Sequence, residues 1–424
     1  MKIIKTSENI NSFGGLNLIS KEFDKLGLAE IITESLGKRS IFCTYSYADI
    51  IKNYWMIFFA GGDCAEDIQD NLKTELSNVQ GLSVPSADTL LRLQKELSTK
   101  KEYVYSKNNV ENQINANDKL NILNLKLLKR LKIFETNKLY DLDFDNQFIR
   151  TEKSDSKKGY KKIRGYFPSV ATIGENIVYI ENRNGNCNVK FEQDQTLQKI
   201  FNMLKTNGIT IGKSRMDCGS FTQKVVNVVE EHCKTFYIRA QRCLDLTQQI
   251  KRIQDWTVVQ MNDKKFELCS ISYAPFGGKK VYRYVVSREA NTTGQIDVFQ
   301  EDNFIYRAIM TNDLGMTDQE VVHFYNQRGG SEKIFDEMNN DFGWKNLPFS
   351  FLGQNTVFMI LMAMCRNFYL YLINKFSEKL YFLEKTFRLK KFIFRFVVVP
   401  YKWVKRGGEL VLKLYTDKPY ELLV

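Results

Sequence analysis

Two histidines in 424 residues leave little imidazole for general acid–base work and make a zinc site improbable. The eight cysteines (Cys43, Cys64, Cys187, Cys218, Cys233, Cys243, Cys269 and Cys365) include no Cys-x-x-Cys pair, so reduced, structural thiols are expected. Six prolines and 24 glycines are too few for a collagen-like or linker-dominated chain. Long apolar runs are also missing. The longest unbroken one, Val357 to Cys365, is well short of the about 20 residues that cross a bilayer. The first residues, Met1 to Thr6, carry no long apolar core of the secretory kind. We therefore expect no membrane partner and a cytoplasmic location. What the chain does have is 43% hydrophobic residues, enough for two or three domains with real cores. It also has 61 Lys+Arg against 49 Asp+Glu, a net charge of +12 that favours a polyanionic partner, nucleic acid foremost.

The hydrophobic period divides the chain. Residues 1–135 read as helical: an amphipathic stretch over 16–36, an apolar helix over 47–60 and a helix start at Ser86, whose hydroxyl suits an N-cap, with Asp88 in the first turn. A short helix, a turn and a capped helix are compatible with DNA reading and equally with an ordinary helical domain. Residues 108–118 are polar and Asn-rich and read as a loop or linker. From 139 the period becomes strand-like, over 139–145, 169–173, 177–182, 209–217 and 235–240, with helices over 195–204 and 221–231, which implies an α/β core. Four alternating segments between 256 and 311 follow, then helices over 317–340 and 351–376.

Charge is uneven. Residues 366–413 are net +9 and residues 150–166 net +5, whereas residues 301–341 are net −6. Clustered carboxylates repel and need a cation or solvent. Three positions stand out. In Tyr140-Asp141-Leu142-Asp143-Phe144-Asp145-Asn146 the three aspartates share one strand face, a row of hard oxygens that suits Mg²⁺ or Mn²⁺. A calcium loop fits part of the spacing but lacks its glycine, since Asn146 stands there. Asp217 sits at a strand end before Cys218-Gly219-Ser220, either at a sheet-edge site or as a simple helix cap. In Phe324 to Asp336 a continuous helix would bring Tyr325, Arg328, Glu332 and Asp336 onto one face. Gly329-Gly330 within it argue for close backbone approach, since each costs roughly 1 kcal/mol in a helix.

The order strand Asp, strand Asp, β-rich region, helical Glu resembles the RNase H-like DDE transposases of bacterial insertion sequences. Tyr325-x-x-Arg328-x-x-x-Glu332 looks like part of the Tyr-Arg-Glu-Lys signature, and the whole set is similar to the thirteen-eighty family of insertion-sequence transposases. The resemblance implies an α/β fold with an RNase H-like mixed-sheet catalytic core at 136–376. It implies a β-rich insertion at about 245–312, a helical N-terminal DNA-binding domain at 1–135 and a basic C-terminal region at 377–424. It implies Asp145, Asp217 and Glu332 as catalytic Mg²⁺ (or Mn²⁺) ligands, with Asp143 the alternative first aspartate. Tyr325, Arg328, Lys157, Lys158, Lys161, Lys162 and Arg164 would contact DNA. No lysine stands near Asn339, where the signature would have one. The implied protein is a bacterial, nucleoid-associated transposase, a homodimer in a synaptic complex on the terminal inverted repeats of double-stranded DNA and its target. The alternatives are a domesticated, inactive DNA-binding relative or a metal-dependent nuclease without strand transfer.

Overall fold

The computed structural model describes residues 1–424 apart from 2, 5–7, 9, 160, 262–263 and 292–303. The expected first helix is two, α1 (Gly15–Lys25) and α2 (Leu28–Leu36), because Gly27 takes a left-handed backbone with φ +61° between them. A capping box between Ser46 and Asp49 starts α3 (Tyr47–Phe59). The short α4 (Asp67–Asp70) and α5 (Lys73–Ser77) lead to α6 (Ala87–Leu97), whose Thr89 amide donates to the expected cap, Ser86. The polar segment around 108–118 is not merely a linker. It carries the second strand of an antiparallel pair, β1 (Glu102–Tyr105) and β2 (Glu111–Asn115). The buried Asn115 amide donates to the carbonyls of Thr99 and Lys100, so hydrogen bonds hold a strand that no apolar pattern marks. Helix α7 (Asp118–Arg130) follows.

Next come β3 (Leu139–Asn146), the small sheet of β4 (Ile149–Arg150), β5 (Lys157–Lys158) and β6 (Arg164–Tyr166), then β7 (Ser169–Ile173) and β8 (Asn176–Arg183). Helix α8 (Gln193–Thr206) crosses to β9 (Thr210–Met216), and α9 (Gln223–His232) to β10 (Thr235–Arg239). Strand β3 lies antiparallel to β7 and parallel to β9, which is parallel to β10. The carboxyl ends of β3, β9 and β10 are therefore neighbours, where open α/β sheets collect ligand sites. After α10 (Leu244–Lys251) come β11 (Thr257–Met261), β12 (Lys264–Tyr273), β13 (Tyr282–Ala290) and β14 (Phe304–Thr311). Because β14 pairs with β10, the β-rich segment prolongs the main sheet. The order is β1-β2-β8-β7-β3-β9-β10-β14-β13-β12-β11. Residues 292–303 of the expected insertion lie outside the described residues.

The helix expected over 317–340 is broken into α11 (Asp318–Asn326), a 3-10 turn (Gln327–Gly329) and α12 (Gly330–Asn340). Gly329 and Gly330 are not sites of close approach. A Cβ on either meets nothing within 4 Å, and both have helical φ (−54° and −57°). The 3-10 turn lies between Tyr325 and Glu332, so the regular 100° spacing drawn from the sequence does not hold across it.

Helix α13 (Leu352–Ser377) is long and apolar enough to cross a membrane, yet nearly all of its most apolar stretch is enclosed by protein. It belongs to one core with Phe23 of α1, Trp55 of α3 and Leu123 of α7. That core continues into the C-terminal segment, α14 (Leu389–Phe392) and the hairpin β15 (Tyr401–Arg406) and β16 (Glu409–Leu414), through Phe392, Phe396 and Val399. Boundaries at 135 and 376 are thus not seams in the packing. A second core fills the sheet's α8–α9 side, including Leu142, Phe144, Ile200 and Val226.

Candidate active site

The three aspartates of β3 share a face, as their spacing requires, but their surroundings differ. Asp143 is buried in a two-pronged pair with Arg215 of β9, at 2.7 and 2.8 Å. Arg215 also donates to the Phe324 carbonyl, 2.8 Å, and stacks over the Phe324 ring. The guanidinium therefore ties β3, β9 and α11 together and neutralises Asp143 where the sequence suggested a metal ligand. Asp141 is half-buried near Lys213 and Arg215, and burial raises its pKa.

Asp145 and Asp217 are arranged alike. Oδ1 of Asp145 accepts the Asn146 amide at 2.9 Å, and Oδ1 of Asp217 accepts the Gly219 amide at 2.8 Å. Asp217 is thus also a cap, of the 3-10 turn Cys218–Ser220. Gly219 is needed in that turn, for a Cβ would sit 2.7 Å from Val189 and 3.0 Å from Asp217 Oδ1. The other oxygens face one Arg328 nitrogen, at 2.9 Å from Asp145 and 3.9 Å from Asp217. Burial first, then the nearby Asp217 charge, lift the Asp145 pKa to about 6 against the pull of Arg328. Arg328 Nε is buried with no hydrogen-bond partner among the described residues.

Glu332 lies in the first turn of α12, exposed to solvent. Among the described residues, the three carboxylates do not close to mutual distances under 4.8 Å. The structure thus gathers Asp145, Asp217 and Arg328 and leaves Glu332 facing outward nearby in sequence. Tyr325 is buried, and its hydroxyl donates to the Met216 carbonyl at 3.2 Å. That bond braces the residue before Asp217.

The basic stretch divides similarly. Lys157 pairs with Glu111 at 2.7 Å, and Arg164 donates to the Ser156 hydroxyl and carbonyl. Lys157 thus ties its loop to β2, and Arg164 holds the loop to itself. Lys158, Lys161 and Lys162 are exposed. Cations that the sequence reading did not single out line an 880 Å³ groove between β4 and the end of α12, namely Arg150, Lys153 and Lys345, together with Asn339. Arg150 and Lys153 belonged to the charged run at 150–166, which was the signal available for them. Arg215 carried no sequence signal, since only the register of β3 on β9 sets it against Asp143.

A family model described as transposase DDE domain, group 1, matches residues 1–423. The chain belongs to that DDE transposase family. No curated protein matches it. Among solved structures, it is similar to a piggyBac transposase synaptic complex with hairpin DNA, at 11% identity and TM-score 0.43, over 91% of this chain and 78% of that one. It is also similar to a Drosophila P element transposase strand transfer complex, at 14% identity and TM-score 0.24, over 50% of this chain and 42% of that one.

Proposed function

We propose that this DDE-family chain is an insertion-sequence transposase of the thirteen-eighty, Tyr-Arg-Glu-Lys type. It binds terminal inverted repeats as a dimer and cuts and joins DNA at Asp145, Asp217 and Glu332. The observation that carries the reading is the pair of carboxylates facing one guanidinium nitrogen at the adjacent ends of β3 and β9. Support for an RNase H-like core comes from the segment β8-β7-β3-β9-β10, three antiparallel strands followed by two parallel ones joined through α8 and α9. The helices before residue 135 are the DNA-binding part in this reading.

The donor set fits a hard divalent cation. It is all carboxylate oxygen, and Asp145 is buried beside a second negative charge that raises its pKa. Mg²⁺ or Mn²⁺ held by Asp145, Asp217 and Glu332 would supply the positive charge that activates the attacking oxygen and steadies the leaving one. The chain's own contribution is positioning. Backbone amides fix one oxygen of each aspartate, so the free oxygens point to a common place. Asp143, locked to Arg215, is scaffold, which leaves Asp145 as the first catalytic carboxylate. Arg328 balances the two carboxylates and stands within the site, where a DNA phosphate is its natural second partner. Exposed Lys158, Lys161 and Lys162 add salt-sensitive affinity.

The test uses purified protein, DNA carrying the candidate inverted repeats and Mg²⁺, with the cut strands mapped. Asp145→Asn, Asp217→Asn and Glu332→Gln each abolish end cleavage and keep DNA binding. Cleavage that survives in all three variants overturns the proposal.

A further inference from the structure

Arg328 stands where a divalent cation would. One oxygen of Asp145 and one of Asp217 are taken by backbone amides. The other two face the same Arg328 nitrogen, at 2.9 and 3.9 Å. Those free oxygens are what a hard cation needs, so the guanidinium and the cation compete for one place and repel each other there. The hold of Arg328 is weak. It approaches only Asp145 closely, and its Nε is buried with no hydrogen-bond partner among the described residues. Arg215, by contrast, meets Asp143 with two nitrogens.

The helix that follows Arg328 is fastened at one end only. Toward its C-terminus, α12 is pinned by Glu337, whose buried pair with Arg366 of α13 has bonds of 2.9 and 2.7 Å. Arg366 also donates to the Glu175 carbonyl in the turn between β7 and β8. Arg388 adds bonds to Asp336 and Asp341, at 2.6 and 2.8 Å. At the other end stand Gly329 and Gly330, where a Cβ would meet nothing within 4 Å. These glycines are not there to make room. What they add is ease of bending, since glycine has the freest backbone. They lie between Arg328 and the exposed Glu332.

We propose that Arg328 is a latch on the metal site, which keeps a divalent cation out of the DNA-free chain and is released by a DNA phosphate. A phosphate can accept two guanidinium donors at once, a better match than the single close contact to Asp145. Once Arg328 has exchanged partners, the two aspartates are open to the cation. The first turn of α12 is then free to bend at its glycines, which gives Glu332 a route toward the aspartates. The phosphate half of the inference rests on the transposase reading above. The contest between Arg328 and the cation does not.

The test measures Mn²⁺ binding to the full chain from the electron paramagnetic resonance signal of the free ion, so cleavage is not the readout. Without DNA, Arg328→Gln should bind Mn²⁺ about tenfold more tightly than the wild type. Adding Asp145→Asn to that variant should abolish the gain. A duplex carrying the candidate inverted repeats, with its own Mn²⁺ uptake subtracted, should tighten wild-type binding by a similar factor and change Arg328→Gln little. The double variant Gly329→Ala, Gly330→Ala keeps helical φ and open space. It should match the wild type without DNA and gain less from the duplex, and it carries the test if Arg328→Gln fails to fold. Mn²⁺ affinity no tighter in folded Arg328→Gln overturns the proposal. So does a wild-type affinity left unchanged by a duplex that the protein binds, or a full duplex effect in the glycine variant. A chain that cuts its ends but gains no Mn²⁺ affinity as Arg328→Gln loses the latch alone. A chain that gains that affinity but never cuts or binds the ends loses the transposase reading instead.

Discussion

Two aspartates stand two residues apart on β3, and each meets an arginine, but the pairs are built for different purposes. Asp143 and Arg215 form a closed unit, each side chain 8% exposed, with two short bonds and further anchoring of the arginine on Phe324. Asp145 and Arg328 form an open one, with a single close nitrogen, a second carboxylate at 3.9 Å and a buried Nε with no hydrogen-bond partner among the described residues. A pair whose donors and acceptors are all used has no capacity left for a ligand. A pair left incomplete can exchange partners.

The largest expected effect breaks the open pair's chemistry. Asp145→Asn should lower end cleavage by at least about a thousandfold, with unchanged retardation of the same DNA in a gel. Next is the closed pair. Asp143→Ala leaves Arg215 buried and unmatched and should destabilise the fold by about 3–5 kcal/mol in urea unfolding; near-wild-type stability would remove the distinction drawn between the two pairs. The third sharpens it through pH. The folded pKa of Asp145, about 6, lies above its ordinary 3.8, so the stability it contributes is complete below pH 3.8 and is lost as pH rises through 6. The stability of the wild type relative to Asp145→Asn should therefore improve by about 3 kcal/mol as pH falls across that window in metal-free buffer. A flat difference would mean that Asp145 is not desolvated. Arg328→Ala should then flatten the log–log salt dependence of DNA binding by about one unit, whereas Arg215→Lys, if it folds, should leave that slope unchanged. The smallest effect is a gain. Gly329→Ala and Gly330→Ala have helical φ and open space, so each should add about 0.5–1 kcal/mol to stability, read as a higher Tm.

Much of this was legible in the residues. The alternation of Tyr140 to Asn146 gave the strand and its acidic face, and Ser86 gave the start of α6. The Asp217-Cys218-Gly219 turn was readable both as a strand-end site and as a cap, and it is a cap with one oxygen left over. Other features were not legible because no local pattern encodes them. The strand at 111–115 is held by Asn115 bonding to distant carbonyls. The choice between Asp143 and Asp145 depends on which faces Arg215 across a parallel register. The 3-10 turn at Gln327–Gly329 changes the spacing that the helical-face argument assumed, because Tyr325 lies before it and Glu332 after it. The core shared by α1, α13 and the C-terminal hairpin joins segments hundreds of residues apart, beyond the reach of any periodicity.

Helix α13 carries one further consequence, for the chain during its synthesis. As it leaves the ribosome, it presents machinery that sorts by composition with a segment that passes for a bilayer anchor. Helices α3, α6, α7 and α12 and strand β8, all of which it packs against, precede it in the chain. Most of its resting place is therefore already translated when it appears, and only the part formed by Phe387, Phe392 and Phe396 follows it. A truncation that removes the first helices would leave α13 an orphan, drawn to lipid or to other copies of itself.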